Sequence, residues 1–177
     1  MTLGDNFHLD ILLEHLEWET ILPCYEHNIV QCLEKVAEFV PEGKLFTLIG
    51  EVDLSFVLCN DTLMRELNKA HRGQNKTTNV LSFQGMDTEQ INDYLLDNSG
   101  IGEYPHSFGE IFISAETMIK EALSANISLQ DHFMHITIHG ILHLLGYDHV
   151  LEEDANVMEK IETELLAKLG IDDPYHP

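Results

Sequence analysis

The chain is short of positive charge. Only nine of its 177 residues are Lys or Arg, against 31 Asp or Glu, a formal net charge of −22. Such a surface repels nucleic acid at long range, so any polyanion must be met by a local patch. Cysteine is scarce as well. Cys24, Cys32 and Cys59 are scattered, which excludes a disulfide framework and a closed thiolate zinc site. Three unpaired thiols fit a reducing cytosol, and a cytoplasmic protein is expected. No apolar run approaches the ~20 residues of a membrane span, and no basic start followed by an apolar stretch marks a signal peptide. Internal repeats and low-complexity tracts are also missing. What remains is 44% hydrophobic and 23% charged, ordinary for a globular protein, and a length suited to one domain over 1–177.

The few basic residues are not spread evenly. Arg65, Lys69, Arg72 and Lys76 fall within twelve positions, while acid concentrates in 87–103 and 152–164. Two readings stay open: a solvated helix face, or an anion-binding edge on an acidic body.

Periodicity outlines an α+β fold. Strands are predicted at 7–14, 52–59, 78–83 and 109–114, and amphipathic helices at 20–39, 61–70, 114–126 and 151–169. Asn60 or Asp61 supplies a cap for the second of these helices, and 71–77 reads as an exposed loop. Val157, Met158, Ile161, Leu165 and Leu169 form the apolar stripe of the last helix, with Gly170 at its end. Residues 85–107 read as a long connection holding a short helix near 90–96. Ser128-Leu-Gln-Asp131 resembles a capping box and opens one further helix. Without a steady βαβ rhythm, the expectation is a small mixed sheet of about four strands under several helices.

That further helix carries the chemistry, in His139-Gly-Ile-Leu-His143-Leu-Leu-Gly146-Tyr147-Asp148-His149. Histidines four apart share one helix face. Gly146 ends the helix in a left-handed turn, which returns a third imidazole, His149, toward the first two. Three imidazoles without a fourth protein ligand are the pattern of a catalytic zinc site with an open position. Nickel and other divalent transition metals also suit imidazole. The partners that fix the tautomers of His139 and His143 are not readable from spacing. The same spacing occurs in metzincin peptidases, but those place Glu directly after the first His as general base. Here Gly140 stands in that position. Asp148 is a candidate for assisting water, orienting a ligand or capping the turn. Arg72 has the fork geometry to hold a phosphate and offset developing negative charge. Glu152, Glu153 and Asp154 suit the first turn of the last helix.

At this point the chain resembles the YbeY-type endoribonucleases. The resemblance rests on the 139–149 run and on Leu67-Asn-Lys-Ala-His-Arg72-Gly-Gln-Asn-Lys-Thr-Thr78-Asn79-Val80-Leu81-Ser82-Phe83. Gly109-Glu-Ile-Phe-Ile113 and Leu169-Gly-Ile-Asp-Asp-Pro-Tyr175 support it. It covers most of 60–175; residues 1–50 add little. The resemblance implies a metal held by His139, His143 and His149, with Arg72 facing it across a cleft. It implies cleavage of single-stranded RNA, in maturing the 3′ end of small-subunit ribosomal RNA and in ribosome quality control. Ribosomal particles or ribosome-associated proteins are then the expected partners, with no membrane. Two features depart from the pattern: His71 replaces a common Tyr, altering a stacking contact, and the acidic 87–103 segment is long enough to gate a cleft. Two rival readings are a metal-dependent peptidase, and a ribosome-assembly factor whose metal is structural.

Overall fold

Alternation of partly buried and exposed positions makes Phe7–Leu13 a strand, β1. The computed structural model describes residues 3, 7–48, 52–96 and 106–175. After β1 come helices α1 (Trp18–Ile21) and α2 (Tyr25–Phe39), a 3₁₀ turn (Glu42–Lys44) and α3 (Leu45–Leu48). Strand β2 (Val52–Cys59), helix α4 (Asp61–Arg72), strand β3 (Val80–Gln84) and helix α5 (Thr88–Leu96) follow. Strand β4 (His106–Ser114) leads into α6 (Ala115–Ala125), α7 (Leu129–Leu144) and α8 (Glu152–Lys168).

The strands form one sheet in the order β1-β2-β4-β3. β1, β2 and β4 are parallel, and β3 pairs antiparallel with β4. This is the expected α+β architecture with a small mixed sheet. Its central strands carry the most buried residues, among them Phe56, Leu58, Ile111 and Ile113. Trp18 and Phe133 pack at 5.6 Å between ring centroids, and the Trp18 indole N–H donates to the Cys59 carbonyl at 3.0 Å. Helix α7 lies on β3 and β4. Gly140 permits the close approach: a Cβ there would meet Ile111 Cγ2 at 3.0 Å and Ser82 Oγ at 3.3 Å.

Several expectations need correction, among them the start of β4, which is His106 and not 109. The helix expected over 20–39 is broken, because Pro23 drives Leu22 out of the helical region to φ −145°, ψ 76°. Helix α4 does not stop at 70: it runs through His71 and Arg72 until Gly73, at φ +67°, closes it. Helix α5 begins at Thr88, ahead of the expected 90. Asp87 Oδ1 accepts from the Gln90 N–H and Gln90 Oε1 accepts from the Asp87 N–H, both at 2.9 Å, a reciprocal cap. Val157 is 52% exposed, because Met158, Glu162, Leu165 and Leu166 define the buried face of α8. The rest of the acidic 87–103 segment, from 97 on, lies outside the described residues.

Candidate metal centre

Helix α7 positions two of the three histidines, and its ends are written locally. Ser128 Oγ accepts from the Asp131 N–H at 3.0 Å, the expected N-terminal cap. At the other end Gly146 has φ +94°. The Tyr147 N–H reaches the Leu142 carbonyl at 3.0 Å and the Gly146 N–H the His143 carbonyl at 3.1 Å, a Schellman closure. The chain doubles back, and Asp148 Oδ1 accepts from the His149 N–H at 2.7 Å, fixing the turn.

The result is convergence. Nε2 of His139 and Nε2 of His143 lie 3.1 Å apart, and one ring nitrogen from each of His139, His143 and His149 lies within 4.8 Å of the others. His139 and His143 are half-buried and His149 is exposed. Nitrogen ligands 2.0–2.1 Å from a tetrahedral zinc sit about 3.3 Å from one another, so the first pair is already near that spacing. The remaining ring nitrogens of His139 and His143 are occupied in the sense that ligation needs. His139 Nδ1 donates to Glu162 Oε1 at 2.7 Å, and His143 Nδ1 donates to the Tyr147 carbonyl at 3.0 Å. Each ring therefore turns an Nε2 lone pair toward the shared point. Burial, then the positive charge that His139 and His149 carry when protonated, push the His143 imidazole down to about 4. It is neutral at pH 7, as a ligand must be. The donor set fits a divalent transition metal.

Glu162 is the residue that spacing did not reveal. It lies 23 positions from His139 and its side chain is fully buried. One sign was available: it is an acid on the face of α8 that buries Met158 and Leu165. Burial alone would raise its carboxyl. Hydrogen bonds from His135 and His139, the positive charge that His139 carries when protonated, and the Tyr175 hydroxyl outweigh that and hold it at about 2.

Arg72 stands exposed in the last turn of α4. It shares a shallow depression with Asn68, Gln74, Lys76 and Thr77 that does not include the three imidazoles. The loop beyond it is pinned. Asn68 Nδ2 donates to the Lys76 carbonyl at 2.8 Å, and Thr77 Oγ1 donates to Asp61 Oδ1 at 3.0 Å. Asp61 Oδ1 also accepts from Ser114 Oγ and Thr117 Oγ1, each at 2.6 Å. Burial pushes this carboxyl up, but the hydroxyl donors together hold it below its ordinary value. β3 then carries the chain from that loop to the histidine helix. Ser82 Oγ donates to the Gly140 carbonyl at 3.3 Å, and Gln84 Nε2 donates to the His143 carbonyl at 2.7 Å. His71 makes an edge contact with Phe83 of β3, at 4.8 Å between centroids.

Residues 18–170 match the family model described as Endoribonuclease YbeY. A protein of that name from Paramagnetospirillum magneticum is 45% identical over 126 residues, covering 71% of this chain and 73% of its own. Its namesake from Rhodospirillum rubrum is 39% identical over 159 residues, covering 89% and 76%. That from Methylocella silvestris is 36% identical over 167 residues, covering 94% and 85%.

Proposed function

Since the chain belongs to the endoribonuclease YbeY family, we propose that it is a metal-dependent enzyme that cuts single-stranded RNA. The observation that carries the metal is the convergence of His139, His143 and His149 with two Nδ1 atoms already committed as donors. Zinc, one ion per chain, suits three imidazoles and an open position, with nickel as the alternative. When bound, such an ion supplies Lewis acidity toward a phosphoryl oxygen and acidifies water.

The side chains supply the rest. Arg72 binds a phosphate through two parallel hydrogen bonds and offsets charge that develops during cleavage. Arg65 and Lys69 precede it on α4 at helical spacing, and all three are exposed. No ion pair among the described residues engages them. They give an acidic protein a short positive edge along which an RNA backbone can lie. Asp148, exposed beside His149, orients water at the open face while its bond to the His149 N–H holds the turn. The biological substrate in this reading is ribosomal RNA, at the 3′ end of the small-subunit molecule, with ribosomal particles as partners in maturation and quality control. A cytoplasmic setting agrees with the three free cysteines. No described helix is long and apolar enough to cross a membrane.

Peptidase chemistry loses support here. The position that would carry its glutamate is Gly140, packed against Ile111.

The test is cleavage of a labelled single-stranded RNA by zinc-reconstituted protein, beside duplex RNA and beside His143→Ala. Cutting of the single strand alone, absent in the variant, is the expected result. Equal cutting by both proteins, or none by either, refutes the assignment.

A further inference from the structure

The histidine helix carries more imidazoles than the metal centre uses. His135 lies one turn before His139, yet it is not among the three convergent rings. The difference lies in one carboxylate. Glu162 Oε1 accepts from His139 Nδ1 at 2.7 Å, and Glu162 Oε2 accepts from His135 Nε2 at 2.9 Å. The same side chain orients the two rings in opposite senses. His135 spends its Nε2 inward, whereas His139 spends its Nδ1 and keeps Nε2 for the shared point.

A fully buried carboxylate is costly unless its oxygens are satisfied. The third donor comes from outside both helices, for the Tyr175 hydroxyl donates to Glu162 Oε2. The Tyr175 ring also stands edge-on to His135, at 5.6 Å between centroids. Tyr175 belongs to a clasped segment. Gly170, at φ +77°, turns the chain at the end of α8, and the Ile171 N–H donates to the Leu166 carbonyl at 3.0 Å. Asp173 Oδ1 then accepts from the Tyr175 N–H at 2.9 Å.

We infer that Glu162, and Tyr175 acting through it, are positioning residues for the metal centre, holding His139 as the Nδ1–H tautomer with Nε2 aimed at the ion. The inference rests on the three-histidine reading above. Neither residue touches substrate: Glu162 sets the tautomer and orientation of a ligand, and Tyr175 limits the rotation of Glu162. Losing such a partner typically costs about 10–100-fold in metal affinity.

Two measurements test it. The first is zinc affinity by competition with a chromophoric chelator, for the full chain, Glu162→Gln, Tyr175→Phe and His143→Ala. The second is the His139 tautomer in metal-free protein, read from long-range ¹H–¹⁵N correlations, which a merely structural role would not move. Glu162→Gln is expected to bind zinc about 10–100-fold more weakly and to lose the pure Nδ1–H state. Tyr175→Phe, which removes one hydroxyl and keeps the ring, shows a smaller loss in the same direction. Unchanged affinity and tautomer in both variants overturn the inference; if Glu162→Gln does not fold, the same result in Tyr175→Phe alone does so. If the full chain takes up no zinc, the metal reading fails, and the metal-free tautomer still decides whether Glu162 holds His139.

Discussion

Replacing Gly146 with alanine should damage both the fold and the metal centre, by an amount the geometry bounds. Gly146 has φ +94°, and a Cβ there would meet Thr88 Oγ1 at 2.9 Å. A left-handed backbone costs a residue with a Cβ ~1–2 kcal/mol. Adding the displacement of Thr88, the whole penalty is about 1–3 kcal/mol, the usual range for strained positions. For a chain of this length each kcal/mol moves the melting temperature by about 2–4 °C, so metal-free Gly146→Ala should melt roughly 2–12 °C lower. Thr88→Ala, which removes the Oγ1 and Cγ2 atoms, should recover the steric part and leave the backbone part, so the double variant falls between. Because His149 follows the turn by three residues, zinc affinity should fall along with stability. Calorimetry of the four proteins, metal-free and zinc-loaded, reads both effects. A Gly146→Ala protein melting within a degree of the parent, with unchanged zinc affinity, would refute the claim that this turn places His149.

Zinc at a hundredfold excess over its Kd should stabilise the chain by about 2.7 kcal/mol, and His143→Ala should show no such shift in a melting scan. Arg72→Ala should bind zinc normally and lose about tenfold or more in RNA cleavage; normal cleavage would remove Arg72 from the site. The pH dependence follows from Glu162, whose carboxyl is depressed from 4.5 to about 2. That stabilisation, on the order of 3 kcal/mol, is complete above about pH 4.5 and is lost as pH falls toward 2. Urea midpoints of the metal-free protein should therefore drop less between pH 5 and 3 in Glu162→Gln. Gly140→Glu should cost about 1–3 kcal/mol by crowding Ile111 and Ser82; casein digestion that appears with the substitution would revive the peptidase reading.

The elements that the sequence announced are those whose signals are local. The strand expected at 7–14, the Ser128 cap, the left-handed Gly146 and the four-residue spacing of His139 and His143 each act within a few residues, and each is found, the strand ending at Leu13. The misreadings were local as well. Pro23 was a break inside an amphipathic pattern, and Asp87-Thr-Glu-Gln90 was a cap that would have placed the start of α5. Arg72 was visible as part of a basic cluster, but its place at a helix end depended on where Gly73 closed α4.

The sequence by itself determined the three-histidine cluster and the turn that returns His149, because helix period and glycine conformation are short-range properties. Only the tertiary structure decided what stands behind those imidazoles. Glu162 meets His139 across 23 residues, and Tyr175 meets His135 across 40. Such pairings depend on how α8 and the segment after it pack against α7. No periodicity within one element encodes the register between two.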